Sequence, residues 1–306
     1  MKKKFLSILL VLCMVLGMMP TAFADDVVAS GNAAKVGGTE YQTLASAIAA
    51  AKNGDTVTLL TDTTEDVSIS GIKDLTLDLG GKTLTNTGKG KATLFVGGGA
   101  SVSVKNGSIV GGASYYNIQC GTEKDPTGSL ALSDVTATAG NTGSSMIDNW
   151  GTLTIQSGTY TGGLNTVKSE PSSTLTINGG DFSTDVYSSA GYTGVILNYG
   201  HAVLNDGTFA STGTGKYGYT AAVIASPDNK ENPTTTTVIK GGIYTVANTR
   251  STLSVRTIGS ASSILEIYAG SFNPKPFSYS IAPGYAVAPR PAQISTIPLR
   301  PQRRSQ

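Results

Sequence analysis

Two aspartates come closest to a catalytic spacing. Asp181 follows Gly179-Gly180, and Asp206 precedes Gly207 in the next copy of a repeated phrase. If those copies stack as parallel strands, one coil step and two residues put the carboxyls about 8 Å apart. Inverting glycosidases hold theirs roughly 6.5–9.5 Å apart. Gly-Gly-Asp and Asn-Asp-Gly are also common turn sequences, and no third carboxylate, arginine or histidine converges on them. A second pattern suits binding. Asn149-Trp150-Gly151 and Asn198-Tyr199-Gly200 occupy the same place in the repeat, with one coil between them. Rings about 10 Å apart along the stack could face alternate sugars, each with an apolar body and a polar tip. Tyr115, Tyr116, Tyr192, Tyr217 and Tyr219 add loop aromatics to such a surface.

Other chemistry is thinly represented. Lys168 and Arg256 have no acidic partners in evident register, as a lyase base with calcium ligands would need. His201, the only histidine, lies about 10 Å from Asp148 by coil spacing, too far for a hydrogen-bonded dyad. Gly179-Gly180-Asp181-Phe182 fails as a calcium-binding repeat, because Phe182 stands where the next glycine belongs. Cys120 alternates with polar neighbours and reads as a buried, inert thiol. No cofactor or metal is expected; calcium enters only under a lyase reading. Thr154 and Thr176 hint at an outward hydroxyl ladder, but Ala131, Val203, Val238 and Glu266 interrupt that column.

The elements that must position these residues follow from the repeat. Leu153-Thr154-Ile155-Gln156-Ser157-Gly158-Thr159-Tyr160 returns at 175–182, 202–209, 237–244 and 265–272, with looser copies at 102–109 and 130–137. Successive copies start 22 to 35 residues apart, the mark of a stacked solenoid with variable loops. Alternation of period two sends Leu153 and Ile155 inward and Thr154 outward. Glycine at the phrase end permits a sharp corner, since it adopts positive φ at little cost. The aromatic beyond it packs over the next core layer. A strand such as 92–96, 145–148, 194–197 or 221–224 precedes each phrase. Polar loops at 121–128 and 226–236 should project. These features predict an all-β, single-stranded right-handed parallel β-helix of 7–8 coils, spanning 56–288. A helix over 43–52, capped by Thr43, places Leu44, Ala47, Ile48 and Ala51 on one face. It serves as an N-terminal cap within 41–55, covering an otherwise open solenoid end. Residues 25–40 read as a flexible lead-in.

The two ends differ from the body. Lys2, Lys3 and Lys4 precede an apolar run to Met19, then Pro20 and Ala22-Phe23-Ala24. That is the form of a secretory signal peptide over 1–24; the run is short for a membrane span. Residues 289–306 form a Pro/Arg/Gln-rich tail with no strand period, expected to be disordered. A native basic end and a truncated or shifted reading frame both account for it. The chain carries 22 basic and 20 acidic residues. Three lysines sit in the leader and Arg290, Arg300, Arg303 and Arg304 in the tail, so the body between is acidic. An acidic body without a basic stripe argues against nucleic acid. Thirty-eight glycines suit a β-rich chain of tight turns.

Tyr41-Gln42-Thr43-Leu44 through Ala47-Ile48, then 50–59, resembles the N-terminal cap of pectin-lyase-like right-handed β-helix proteins. The Gly-x-Phe ending with Tyr279-Ser280-Ile281-Ala282-Pro283-Gly284-Tyr285 is similar to the closing segment of bacterial surface β-helix proteins. The resemblance covers about residues 36–288. It implies export, and a fold that hosts lyases, hydrolases and non-catalytic adhesins alike. The expectation is therefore a monomeric, secreted or cell-surface, adhesin-like module, with glycans, extracellular matrix or cell wall as partners and Asn149, Trp150, Asn198 and Tyr199 as ligand residues. A polysaccharide lyase or glycosidase using Asp181 and Asp206, and a spacer of a larger surface protein, are the alternatives.

Overall fold

The computed structural model describes residues 31–187, 192–213, 219–227, 235–247, 252–255, 257–258, 261–274, 276, 286–287 and 293–295. The signal-peptide region, Tyr217 and Arg256 lie outside the described residues, as does most of the tail. The described residues form a parallel β-solenoid of about 7 turns with one short helix.

Each coil has three strands, and the repeated phrase supplies two of them. In one coil these are Asn165–Ser169, Thr174–Ile177 and Asp181–Thr184. Equivalent strands pair in parallel from coil to coil and build three faces. The first, the leucine face, runs from Thr56–Leu59 through Thr152–Ile155 to Ile264–Ile267. The second, the aromatic face, includes Gly158–Thr161, Asp181–Thr184 and Thr208–Ser211. The third is an eight-stranded sheet from Val67–Ser70 to Leu253–Val255. Alternation explains the core: Leu153, Ile155, Leu175 and Ile177 are fully buried, while Thr152 and Thr174 between the coils' corners stay exposed.

The corner between the leucine and aromatic faces requires glycine. Gly158 has φ +121°, and a Cβ there would lie 2.3 Å from the Val135 carbonyl oxygen. Both the backbone conformation and the close approach exclude a side chain. Gly158→Ala is expected to cost about 1–3 kcal/mol, read as a lower denaturation midpoint. Gly143→Ala, whose Cβ would meet only Asn141 Oδ1 at 3.9 Å, should leave the midpoint unchanged; equal effects would contradict the corner argument.

Beyond the corner, the aromatics do more than cover the next layer. Tyr160, Phe182, Phe209, Tyr244 and Phe272 form one buried column, with successive ring centroids 4.8–5.1 Å apart and planes within 7–9°. The strand spacing of about 4.8 Å dictates that distance. Tyr160 and Tyr244 end in polar hydroxyls, and each donates to the carbonyl three residues back, at 3.0 and 2.9 Å.

The helix spans Leu44–Ala50, and the Thr43 side chain accepts from Ser46 N. Glu65 carboxylate oxygens accept from Leu44 N and Ala45 N at 2.7 and 3.1 Å, fastening the first turn to the coil below. Leu44 and Ala47 are buried and Ile48 packs against the core. Two segments depart from the sequence reading. Ala34–Val36 and Thr39–Tyr41, assigned to the flexible lead-in, form an antiparallel hairpin, and the first strand pairs with Thr56–Leu59. Gln293–Ser295, assigned to the disordered tail, pairs antiparallel with Gly270 and Ser271. The cause is the same at both ends: the terminal rung of a solenoid has unpaired backbone groups that take up neighbouring chain. Among the described residues no helix is long and apolar enough to cross a membrane.

Candidate functional site

The third face carries the chemistry on its outward side. Its register aligns Phe95, Gln119, Asp148, Lys168 and Leu197 in one column. Two residues further along each strand direction, at the turn, Trp150, Glu170 and Tyr199 form the next column, each donating its backbone N–H to the preceding coil. The two columns interlock. Trp150 Nε1 donates to Asp148 Oδ2 at 3.0 Å, and Gln119 Nε2 donates to the same oxygen at 3.3 Å. The Lys168 ammonium pairs with the Glu170 carboxylate and lies 5.6 Å from the centre of the Tyr199 ring, within cation–π range.

The Asn-aromatic-Gly turn has two jobs. Its asparagine points inward: Asn149 Nδ2 donates to the Thr174 carbonyl and to Ser169 Oγ at 3.1 and 3.2 Å. Asn198 Nδ2 donates to the Thr236 carbonyl and to Thr237 Oγ1 at 2.9 and 2.8 Å. Both asparagines are fully buried, so neither reaches a ligand on the surface. They clamp the turn so that the next residue, Trp150 or Tyr199, is displayed on the outside. Glycine follows because a Cβ at 151 or 200 would come within 2.2 and 2.5 Å of a backbone oxygen in the preceding coil.

Asp148 and Lys168 stand side by side in register, and Glu170 closes the group. This overturns the expectation that Lys168 lacks acidic partners: the lateral neighbour is set by register between coils, which the sequence does not display. Burial pushes the Asp148 carboxyl above its usual range, against the opposing pull of Glu170, the Lys168 charge and the bonds from Trp150 and Gln119. Asp148 Oδ1 is buried without a hydrogen-bond partner. Burial likewise raises Glu170, to about 7, against the opposing pull of Lys168; the Asp148 charge adds to the rise. Tyr116, reaching in from the preceding loop, is pushed up to about 12 by burial and by these carboxylates.

Two cavities of about 320 Å³ open on this face, a size at the lower end of ligand pockets. One is lined by Tyr116, Ser144, Ser145, Asn165, Lys168 and Tyr199. The other is lined by Asp66, Ser68, Lys91, Phe95, Tyr115 and Gln119. Tyr115 and Tyr116 pack edge to face with centroids 4.8 Å apart, and each contributes to a different cavity. Gly97 makes room for Phe95, whose ring would be 2.4 Å from a Cβ at that position. The result is a line of aromatic rings and polar groups along the coil axis.

The other nominated residues lie elsewhere. Asp181 is exposed on the aromatic face, in register with Thr208. Asp206 is exposed, and its carboxylate accepts from Gly207 N at 2.8 Å, serving its own turn. His201 Nδ1 bonds Thr236 Oγ1 at 2.9 Å on the leucine face. Cys120 is buried and its thiol is pushed up to about 12 by burial. Among the described residues no three His, Cys, Asp or Glu side chains are grouped to hold a metal ion. Sequence reasoning missed Gln119, Asp148 and Glu170; the Ile-Asp-Asn and Lys-Ser-Glu strand ends held the signal, but only if aligned in register.

Fold and site together define a parallel β-solenoid with an aromatic, charge-bearing groove on one face. Comparison of the chain with protein-family models, curated proteins and solved structures finds no match.

Proposed function

We propose that this is an exported, non-catalytic glycan-binding module of the bacterial surface, adhesin-like, in the manner of pectin-lyase-like surface β-helix proteins. The observation that carries the reading is the run of Phe95, Tyr115, Tyr116, Trp150 and Tyr199 along one face, beside two cavities. Trp150 and Tyr199, two coils and so about 10 Å apart, can stack on alternate sugars of a linear chain, while Ser144, Ser145 and Gln119 offer hydrogen bonds to hydroxyls. The Asn149 and Asn198 clamps supply rigidity, which lowers the ordering cost of binding.

A polysaccharide-cleaving enzyme is the second reading, favoured by Glu170, a buried carboxyl raised to about 7 and paired with the cavity-lining Lys168. Against it, Asp148 is wholly buried behind Trp150 and cannot reach a substrate. The mature protein should bind members of a panel of plant, microbial and host glycans without new reducing ends or unsaturated products. Trp150→Ala and Tyr199→Ala should each weaken binding roughly 30-fold, the loss of about 2 kcal/mol typical of a buried aromatic anchor. Tyr199→Phe should bind nearly as the parent does. Turnover lost on Glu170→Gln would replace the binding reading by the enzymatic one. Binding to nothing would leave a spacer.

A further inference from the structure

We propose that Lys168 is a proton-gated anion anchor: when Glu170 takes up a proton it gives up its ion pair with Lys168 and donates to the adjacent Asp148, and the freed ammonium binds a sulfate-bearing sugar in the cavity beside Tyr199. The proposal rests on the glycan-binding reading and names a ligand class and a control for that site.

Three observations carry it. Lys168 lines the cavity, yet its charge is held by Glu170, so the anchor is present but engaged. Asp148 Oδ1 is buried and accepts no hydrogen bond. It is the acceptor that a protonated Glu170 would satisfy, since a neutral carboxyl gains one O–H donor. Tyr199 holds the ammonium at its ring face, so Lys168 keeps its place when Glu170 lets go. The groups facing Glu170 are Lys168 on its own strand, Asp148 and Trp150 on the preceding coil, Tyr116 from the preceding loop and Tyr199 on the following coil. Burial raises Glu170 to about 7 and shifts Asp148 upward as well, so the exchange occurs near neutral pH. With Glu170 neutral, the group carries one negative charge fewer, and an incoming anion meets less repulsion.

A site whose cation is lysine lacks the fork that grips a planar carboxylate with two parallel hydrogen bonds. A planar carboxylate is matched by the two-pronged arginine fork, whereas lysine is a compact point charge with three donors. Among the described residues no arginine lines the cavity, and Ser144 and Ser145 line it together with Lys168. A three-oxygen anion suits that arrangement.

The test measures binding of a neutral glucan hexasaccharide and its sulfated derivative to the full mature protein by calorimetry. Sulfate stays ionised throughout, so any pH dependence belongs to the protein. The sulfated probe should bind about tenfold tighter at pH 5.5 than at pH 8.5, with proton uptake seen as a heat that varies with the buffer. Glu170→Gln should bind it equally at both pH values. Lys168→Met should lose the preference for the sulfated probe while still binding the neutral one, which also reports that the variant is folded. Equal binding of the two probes by the parent, or unchanged pH dependence in Glu170→Gln, would overturn the gate and leave the glycan reading standing. Binding of neither probe would remove both.

Discussion

Phe182→Ala is expected to destabilise the solenoid by about 3–5 kcal/mol, the range for removing a buried aromatic from a close-packed core. Phe182 is 1% exposed and stands second in the column of five rings, with Tyr160 at 4.9 Å and Phe209 at 5.1 Å. Truncation removes two stacking contacts at once, each worth about 0.5–1.5 kcal/mol beyond area burial. The cavity cannot collapse readily. Neighbouring rings are held at strand spacing by the backbone ladder on either side, and the Gly158 and Gly180 corners fix their approach. Phe182→Leu fills most of the volume and should cost about 1–2 kcal/mol. Denaturant titrations of both variants, with exposed Thr159→Ala as the reference, measure the difference. A Phe182→Ala midpoint equal to that of Thr159→Ala would mean that the ring column contributes nothing.

The second large effect is a fall in stability as the solution becomes alkaline. Glu170 is raised from an ordinary 4.5 to about 7, so the folded state keeps a proton that the unfolded state releases. Its contribution is complete below about pH 4.5 and is lost as pH rises through about 7. Asp148 is shifted in the same direction. At about 1.36 kcal/mol per unit, and with part of the shift titrating below pH 5, Glu170 accounts for about 2 kcal/mol between pH 5 and pH 8. Glu170→Gln removes the titration and keeps the shape, so its unfolding free energy should vary much less over that interval. A parent protein that gains stability from pH 5 to pH 8, or a variant with the parent's slope, would contradict the assignment.

Particular residues show how far the sequence could be read. Leu153 and Ile155 betray their burial by alternation, and Gly158 its corner and Tyr160 its burial by their places in the repeated phrase, because each depends only on neighbours in the chain. The Thr43 cap and the Leu44, Ala47, Ile48 face are equally local. The paired stretches at Ala34–Val36 and Gln293–Ser295 were not legible: their partners are the open rungs of the solenoid, many residues away. Trp150 and Tyr199 were legible as matching turn residues, but their asparagine partners were read as surface groups. Asn149 and Asn198 are internal clamps, a fact that rests on carbonyls of the following coils.

The sequence by itself determined the solenoid, its inward columns, its glycine corners and its capping helix, since a two-residue period and positive-φ corners are properties of consecutive residues. Only the tertiary structure decided the site. Asp148, Lys168 and Glu170 meet because coils separated by loops of unequal length stack in one register, and the stacking fixes lateral neighbours that no spacing along the chain reveals. Burial then raises the Asp148 and Glu170 carboxyls, Glu170 to about 7.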